Sequence, residues 1–137
     1  MAHRVTRRIQ FQEIDAAGVV YFARFHDIAH QVWEQVLLDV GYDLATPLAA
    51  RTFGYPLVHC EADFRHPLRH GDSAAIDVAC VKVGNTSFAI RFTFSLAAMA
   101  TDVATLTHVH ACVDLKAMKA APVPCGLLAA LERLRED

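Results

Sequence analysis

One stretch dominates what this chain can become. From about Ala23 to Val40 apolar residues recur at three- and four-residue steps (Phe22, Phe25, Ala29, Val32, Val36), the period of an amphipathic helix of about five turns, and Gly41 is placed to stop it. Around it the period is two. Residues 3–12 alternate through Val5, Arg7, Ile9 and Phe11, and four further strand patterns follow at about Pro56–Phe64, Ser73–Val83, Ser87–Met99 and Val103–Leu115. Gly84-Asn85 offers a tight hairpin between the second and third of these. Residues 43–51 read as a short helix or loop, and Leu127–Arg135, beyond Pro122 and Pro124, as a closing helix. The order is one strand, one long helix, then a four-strand antiparallel meander. That is an α+β chain whose sheet must bury the helix.

The bulk properties narrow the rest. At 137 residues with no linker, repeat or low-complexity segment, residues 1–137 are expected to form one domain. The chain is 54% hydrophobic and only 20% charged, which suits a helix enclosed by a sheet together with surface hidden in an oligomer. A net charge of −2 gives no basic footprint for nucleic acid. No run of eighteen apolar residues occurs, and Met1-Ala2-His3-Arg4 leads straight into a strand pattern, so neither a membrane span nor a signal peptide is expected. Cys60, Cys80, Cys112 and Cys125 are widely spaced within apolar patterns, as for structural thiols in a reducing cytoplasm.

Chemistry concentrates ahead of the helix, in Phe11-Gln12-Glu13-Ile14-Asp15-Ala16-Ala17-Gly18-Val19-Val20-Tyr21-Phe22. Asp15 stands in a loop of small residues that a ligand can approach closely. The helix start beyond it offers free N–H groups and a positive dipole end, where an oxyanion is best stabilised. Those two features are the minimum equipment for hydrolysing an activated acyl group. From the residues alone, Asp15 serves equally as a helix-start acid or a loop residue bonding its own backbone.

The run Asp15–Phe22, followed by Phe25-His26, resembles the signature of the hydroxybenzoyl-CoA thioesterase family. Tyr55-Pro56-Leu57-Val58-His59-Cys60-Glu61-Ala62-Asp63-Phe64 and Pro67…His70-Gly71-Asp72 are similar to that family's second strand and turn, and Thr107-His108-Val109-His110 through Ala121-Pro122-Val123-Pro124 resembles its bacterial 1,4-dihydroxy-2-naphthoyl-CoA hydrolases. The resemblance implies a hotdog fold, a five-stranded antiparallel sheet wrapped around one long central helix. It implies an acyl-CoA thioesterase acting on an aromatic or short acyl group, without metal or organic cofactor, assembled as a homodimer or homotetramer with active sites at the interface. Asp15 is then the catalytic nucleophile or general base, and the Phe22 backbone N–H polarises the thioester carbonyl while the Phe22 side chain belongs to the core.

Gly18 and Tyr21 are expected to shape the acyl pocket. His30 takes the place of an acidic helix residue that meets a ring hydroxyl in the hydroxybenzoyl-CoA enzyme, and His59 is a polar group for the acyl moiety of a neighbouring subunit or a surface residue. Arg65 and Arg69 are candidates for the CoA phosphates, with Lys82 and Arg91 as weak substitutes for a basic hairpin. His26, His30 and Glu34 share a helix face but supply too few ligands for zinc, so no metal is expected. His108 and His110 share a strand face with Leu106 and Cys112 and are read as structural. The alternative to an enzyme is a non-catalytic acyl-CoA or acyl-carrier binding module on the same fold. A dehydratase would want a paired His and carboxylate that no segment resembles.

Overall fold

The computed structural model describes residues 3–136; Met1, Ala2 and Asp137 lie outside it. Strand β1 (His3–Arg8) is followed by α1 (Phe22–Asp39), α2 (Ala45–Ala49), β2 (Phe53–Gly54), β3 (Leu57–Phe64), β4 (Ser73–Val83), β5 (Ser87–Leu96), β6 (Thr101–Ala111), β7 (Val113–Asp114), β8 (Lys119–Ala120) and α3 (Cys125–Arg133). Five strands form one antiparallel sheet in the order β1-β4-β5-β6-β3, and β2, β7 and β8 form a small second one.

That order corrects the four-strand meander. β4, β5 and β6 do run up and down as neighbours, because the short turns at 84–86 and 97–100 bring each strand back alongside the one before it. β3 pairs with β6 at the far side of the sheet, and β1 takes the place beside β4. The β3–β4 connection, residues 65–72, is too long for a hairpin turn and spends its backbone groups elsewhere: Val20 N–H donates to the Leu68 carbonyl at 2.8 Å, and Val19 bridges Arg69. It therefore crosses the sheet and, in doing so, fastens the segment just before α1.

Three other boundaries differ from expectation. The first strand stops at Arg8 rather than residue 12, because Phe11–Glu13 closes a 3-10 turn. Glu13 accepts from Gln10 N–H at 2.8 Å and from Arg7 Nη1 at 2.9 and 3.0 Å, so a buried carboxylate ends the strand. β5 ends at Leu96, before a turn in which Ala100 adopts φ +51°. β6 ends at Ala111 because Cys112 N–H turns to the Thr86 carbonyl, leaving Val113–Asp114 to pair with β2.

α1 ends as its sequence suggests. Gly41 sits at φ +99°, Gly41 N–H bonds the Leu38 carbonyl at 3.1 Å and Tyr42 N–H the Leu37 carbonyl at 2.8 Å, the paired bonds of a Schellman stop that only a residue at ease with positive φ accommodates. Its buried stripe, Phe25, Ile28, Ala29, Val32, Trp33, Val36 and Leu37, packs into one core with Ile76, Val78, Phe88, Ile90, Phe92, Phe94 and Leu106 of the sheet. Aromatic contacts tie helix to sheet at both ends: Phe25 to Phe94 at 5.2 Å and Trp33 to Phe88 at 5.9 Å between ring centroids. Phe22 is the exception to the helical pattern. Its side chain is 58% exposed and lies on the Tyr21 ring at 4.8 Å, so it is not core.

The four thiols are all free; Cys80 and Cys112 are buried, whereas Cys60 and Cys125 are exposed, so only the first two fit the apolar reading. Burial raises the thiol pKa of Cys80, and that of Cys112 to about 11, which keeps both protonated. Among the described residues no helix is long and apolar enough to cross a membrane.

Candidate active site

Asp15 and the start of α1 border the same cleft, about 550 Å³, whose other walls are Val19, Val20, Tyr21, Phe25, Phe64, Arg65, His66 and Pro67. The Asp15 loop is held from both sides. Asp15 N–H donates to the Val19 carbonyl at 2.9 Å, Tyr21 N–H to the Glu13 carbonyl at 3.1 Å, and Val20 is pinned by Leu68 as described. Within the loop the Asp15 Oδ1 accepts from Ala17 N–H at 2.9 Å and Val19 N–H at 3.5 Å. The backbone-bonding reading of Asp15 is thus correct for one oxygen. The other, Oδ2, has no partner among the described residues, and the residue is half-buried. One oxygen is spent on orientation and the other is left for a ligand.

The first turn of α1 complements it. Tyr21 is the N-cap and gives no side-chain hydrogen bond, no acidic residue lies in that turn, and the Phe22 N–H has no acceptor among the described residues. The first N–H groups of a helix have no intrahelical partner and carry the positive end of its dipole. This uncapped end therefore has donors to offer an oxygen in the cleft.

The remaining expected site residues divide. Tyr21, 45% exposed, lines the cleft. Gly18 does not; it is exposed at φ +83° with nothing within 4 Å of where a Cβ would stand, so glycine serves the loop's conformation rather than clearance for a ligand. Arg65 lines the cleft but its guanidinium is committed to Asp102 at 2.7 Å and to the Thr105 hydroxyl. Arg69 lies outside the walls and is exposed. His59 is exposed on β3, 3.5 Å from the Glu61 carboxylate, and also outside them. Lys82 stands beside a β4 bulge, and Arg91 bonds Glu136, so neither borders the cleft. The apolar walls Phe25 and Phe64, 5.1 Å apart, and His66 went unnoticed in the sequence. Phe25 reads there simply as core, and nothing local marks Phe64 as facing α1 until β3 is known to pair with β6.

His30 belongs to a different group. It is outside the cleft walls and its ring lies 5.1 Å from His108 and 5.6 Å from His110. His26 Nδ1 is 2.8 Å from His108 Nε2. β6 thus supplies the histidines that α1 lacks for a ligand cluster, and Glu34 plays no part: one ring nitrogen each of His30, His108 and His110 lies within 4.8 Å of the others. His108 and His110 are buried, as are Leu106 and Cys112 on the same face. Burial lowers the His108 pKa to about 3, with His30, His26 and His110 adding repulsion. His110 is lowered by burial and by His30, against its bond to the Tyr55 carbonyl; His30 is lowered by burial and by His26, against Asp27. Both buried imidazoles are neutral at physiological pH.

Residues 9–131 match the family model described as the thioesterase-like superfamily. A 1,4-dihydroxy-2-naphthoyl-CoA hydrolase of Nostoc punctiforme is 31% identical over 137 residues, covering all of this chain and 91% of that one. The enzyme of the same name from Synechococcus elongatus is 31% identical over 123 residues, 89% of each. Among solved structures, a 1,4-dihydroxy-2-naphthoyl-CoA thioesterase from Synechocystis superposes over the full length of both chains with a TM-score of 0.93 at 27% identity.

Proposed function

The chain belongs to the thioesterase-like superfamily, and from that premise we propose that it hydrolyses an aromatic acyl-CoA, with 1,4-dihydroxy-2-naphthoyl-CoA the first candidate and other aromatic and short aliphatic thioesters behind it. That the chain is a thioester hydrolase follows from its relatives. The observation that carries the assignment of residues is the meeting of a half-free carboxylate and an uncapped helix start in one largely apolar cleft.

In this reading the thioester carbonyl oxygen sits at the first turn of α1 and accepts from the Phe22 N–H. A preorganised donor aimed where negative charge develops lowers the barrier more than the same donor in water would. Asp15 Oδ2 acts on the carbonyl carbon, either by taking a proton from attacking water or by adding to it directly to give a mixed anhydride that water then opens. In both routes the carbon–sulfur bond breaks, CoA leaves as the thiolate and takes up a proton, and the acid departs as carboxylate. Val20, Phe25 and Phe64 supply apolar surface and Tyr21 an amphipathic edge for an aromatic ring. Arg69, exposed, and Arg65, at the cleft itself once its guanidinium exchanges Asp102 for a phosphate, are the cations for CoA phosphates.

The assembly is part of the proposal. β3 is the sheet's last strand, and Leu57, Val58 and Phe64 on it are exposed at 40%, 58% and 45%. An exposed apolar edge strand is a liability that a second copy of the chain would cover. A homodimer, or a homotetramer made of two, would carry His59 and the partner's β3 towards a neighbouring cleft, complete the wrapping of the five-stranded sheet about α1, and leave Gly18 to fix the loop.

The test is release of CoA from a panel of aromatic and aliphatic thioesters by wild type and Asp15→Asn, which keeps the size of the side chain and removes its charge. Loss of a general base costs about 10²- to 10⁴-fold, and the variant is expected to keep its fold. Equal turnover by the variant refutes the role of Asp15; binding of acyl-CoA with no turnover by wild type refutes catalysis and leaves a binding module.

A further inference from the structure

The four-histidine cluster between α1 and β6 lies outside the walls of the Asp15 cleft, and its arrangement is that of a ligand set. His30 lies on α1 with its side chain reaching solvent; His108 and His110 are two residues apart on β6, 0% and 2% exposed. Three imidazoles from two elements far apart in sequence point one nitrogen each at a common space, no two of those atoms more than 4.8 Å apart.

Two details go beyond proximity. His110 Nδ1 is 2.9 Å from the Tyr55 carbonyl. A carbonyl only accepts, so Nδ1 carries the proton and Nε2 keeps its lone pair, the brace that metal-ligating histidines characteristically have. His108 is held through Nε2 by His26, yet its Nδ1 is fully buried with no hydrogen-bond partner among the described residues. A buried polar atom left unpaired is costly, and such an atom in a cluster of like groups calls for an account.

We propose that His30, His108 and His110 form a binding site for a first-row transition-metal dication, Zn²⁺ and its neighbours Co²⁺ and Ni²⁺. Three imidazole nitrogens suit these ions and not Mg²⁺ or Ca²⁺, which prefer oxygen ligands. Water takes the fourth position, on the solvent side where His30 stands, and His26 is the positioning residue that orients His108. Ligand nitrogens on a tetrahedral zinc lie about 3.3 Å apart, so the cluster closes by up to about 1.5 Å on loading. The exposed His30 side chain supplies part of that movement by rotation, and the two β6 rings, 6.5 Å apart at their centroids, turn towards the ion to supply the rest. A loaded site would tie the middle of α1 to the sheet independently of what occupies the Asp15 cleft.

The test uses tag-free full-length protein, stripped with chelator and then titrated with Zn²⁺ calorimetrically and with Co²⁺ by visible absorption, with Mg²⁺ in parallel. One Zn²⁺ per chain is expected, with Co²⁺ bands of tetrahedral intensity and no Mg²⁺ binding. His30→Ala, at an exposed position, is expected to fold normally and to lose more than the about 10- to 100-fold in Zn²⁺ affinity that removing an outer partner costs; His26→Ala is expected to lose an amount within that range. Absence of stoichiometric Zn²⁺ binding by wild type overturns the proposal. So does a His30→Ala variant that binds as tightly as wild type, since the ion would then sit elsewhere.

Discussion

Replacing His108 should remove most of a specific acid sensitivity, whose size follows from the structure. His108 is fully buried between α1 and β6 and holds its pKa at about 3, because burial and three neighbouring histidines oppose its charge. In the unfolded chain the same imidazole titrates near its ordinary value of about 6.5. The native pKa lies below the unfolded one for a base, so the unfolded chain binds the extra proton first. Stability is therefore fully present above about pH 6.5 and is lost as pH falls from there towards about 3. Between about pH 7.5 and about pH 5 the loss from His108 alone comes to about 2 kcal/mol. His110 and His30, also lowered, add to it in the same direction. The assay is urea unfolding at fixed protein concentration across this range, with chelator present so that metal contributes nothing. His108→Gln, which keeps a polar group for His26 and cannot titrate, should be less stable at neutral pH yet flatter across the range by about 2 kcal/mol. Parallel pH profiles for wild type and variant, or a wild type that gains stability on acidification, would refute the reasoning.

Three further outcomes are expected. Glu13→Gln breaks the largely buried pair with Arg7, with side chains 7% and 17% exposed, and should cost about 3 kcal/mol in chemical denaturation; a loss under about 1 kcal/mol would mean the pair is no anchor of the turn before Asp15. Sedimentation at micromolar concentration should give a dimer or tetramer, and Val58→Lys on the exposed face of β3 should shift it towards monomer; a monomeric wild type removes His59 from the site. A single turnover in H₂¹⁸O tests the nucleophilic role of Asp15: label in its carboxylate marks water opening a mixed anhydride at the Asp15 carbonyl, a label that a general base never acquires.

How much was legible depended on how local each determinant is. Helix α1, its stop at Gly41 and the β4–β5 hairpin rest on period, on a glycine at positive φ and on short turns, all written in contiguous residues. The 3-10 turn at Phe11–Glu13 was also written locally, as Gln10 followed three residues later by Glu13, but the alternation through Phe11 masked it. Phe22 misled for a related reason: it continues the helical apolar period at the first turn, where the sheet no longer covers that face.

By itself the sequence determined the α+β class, the extent of the long helix, and the loop that carries Asp15, because each follows from the conformational preferences of contiguous residues. Tertiary structure alone decided that β3 crosses to pair with β6. That one pairing brings Phe64 to Phe25 to wall the cleft and leaves Val58 and His59 on an open edge. The packing of α1 onto β6, in turn, sets His26 and His30 against His108 and His110, about eighty residues away in the chain. Strand pairing and helix packing across such separations are fixed by the burial of the whole core, which no local pattern encodes.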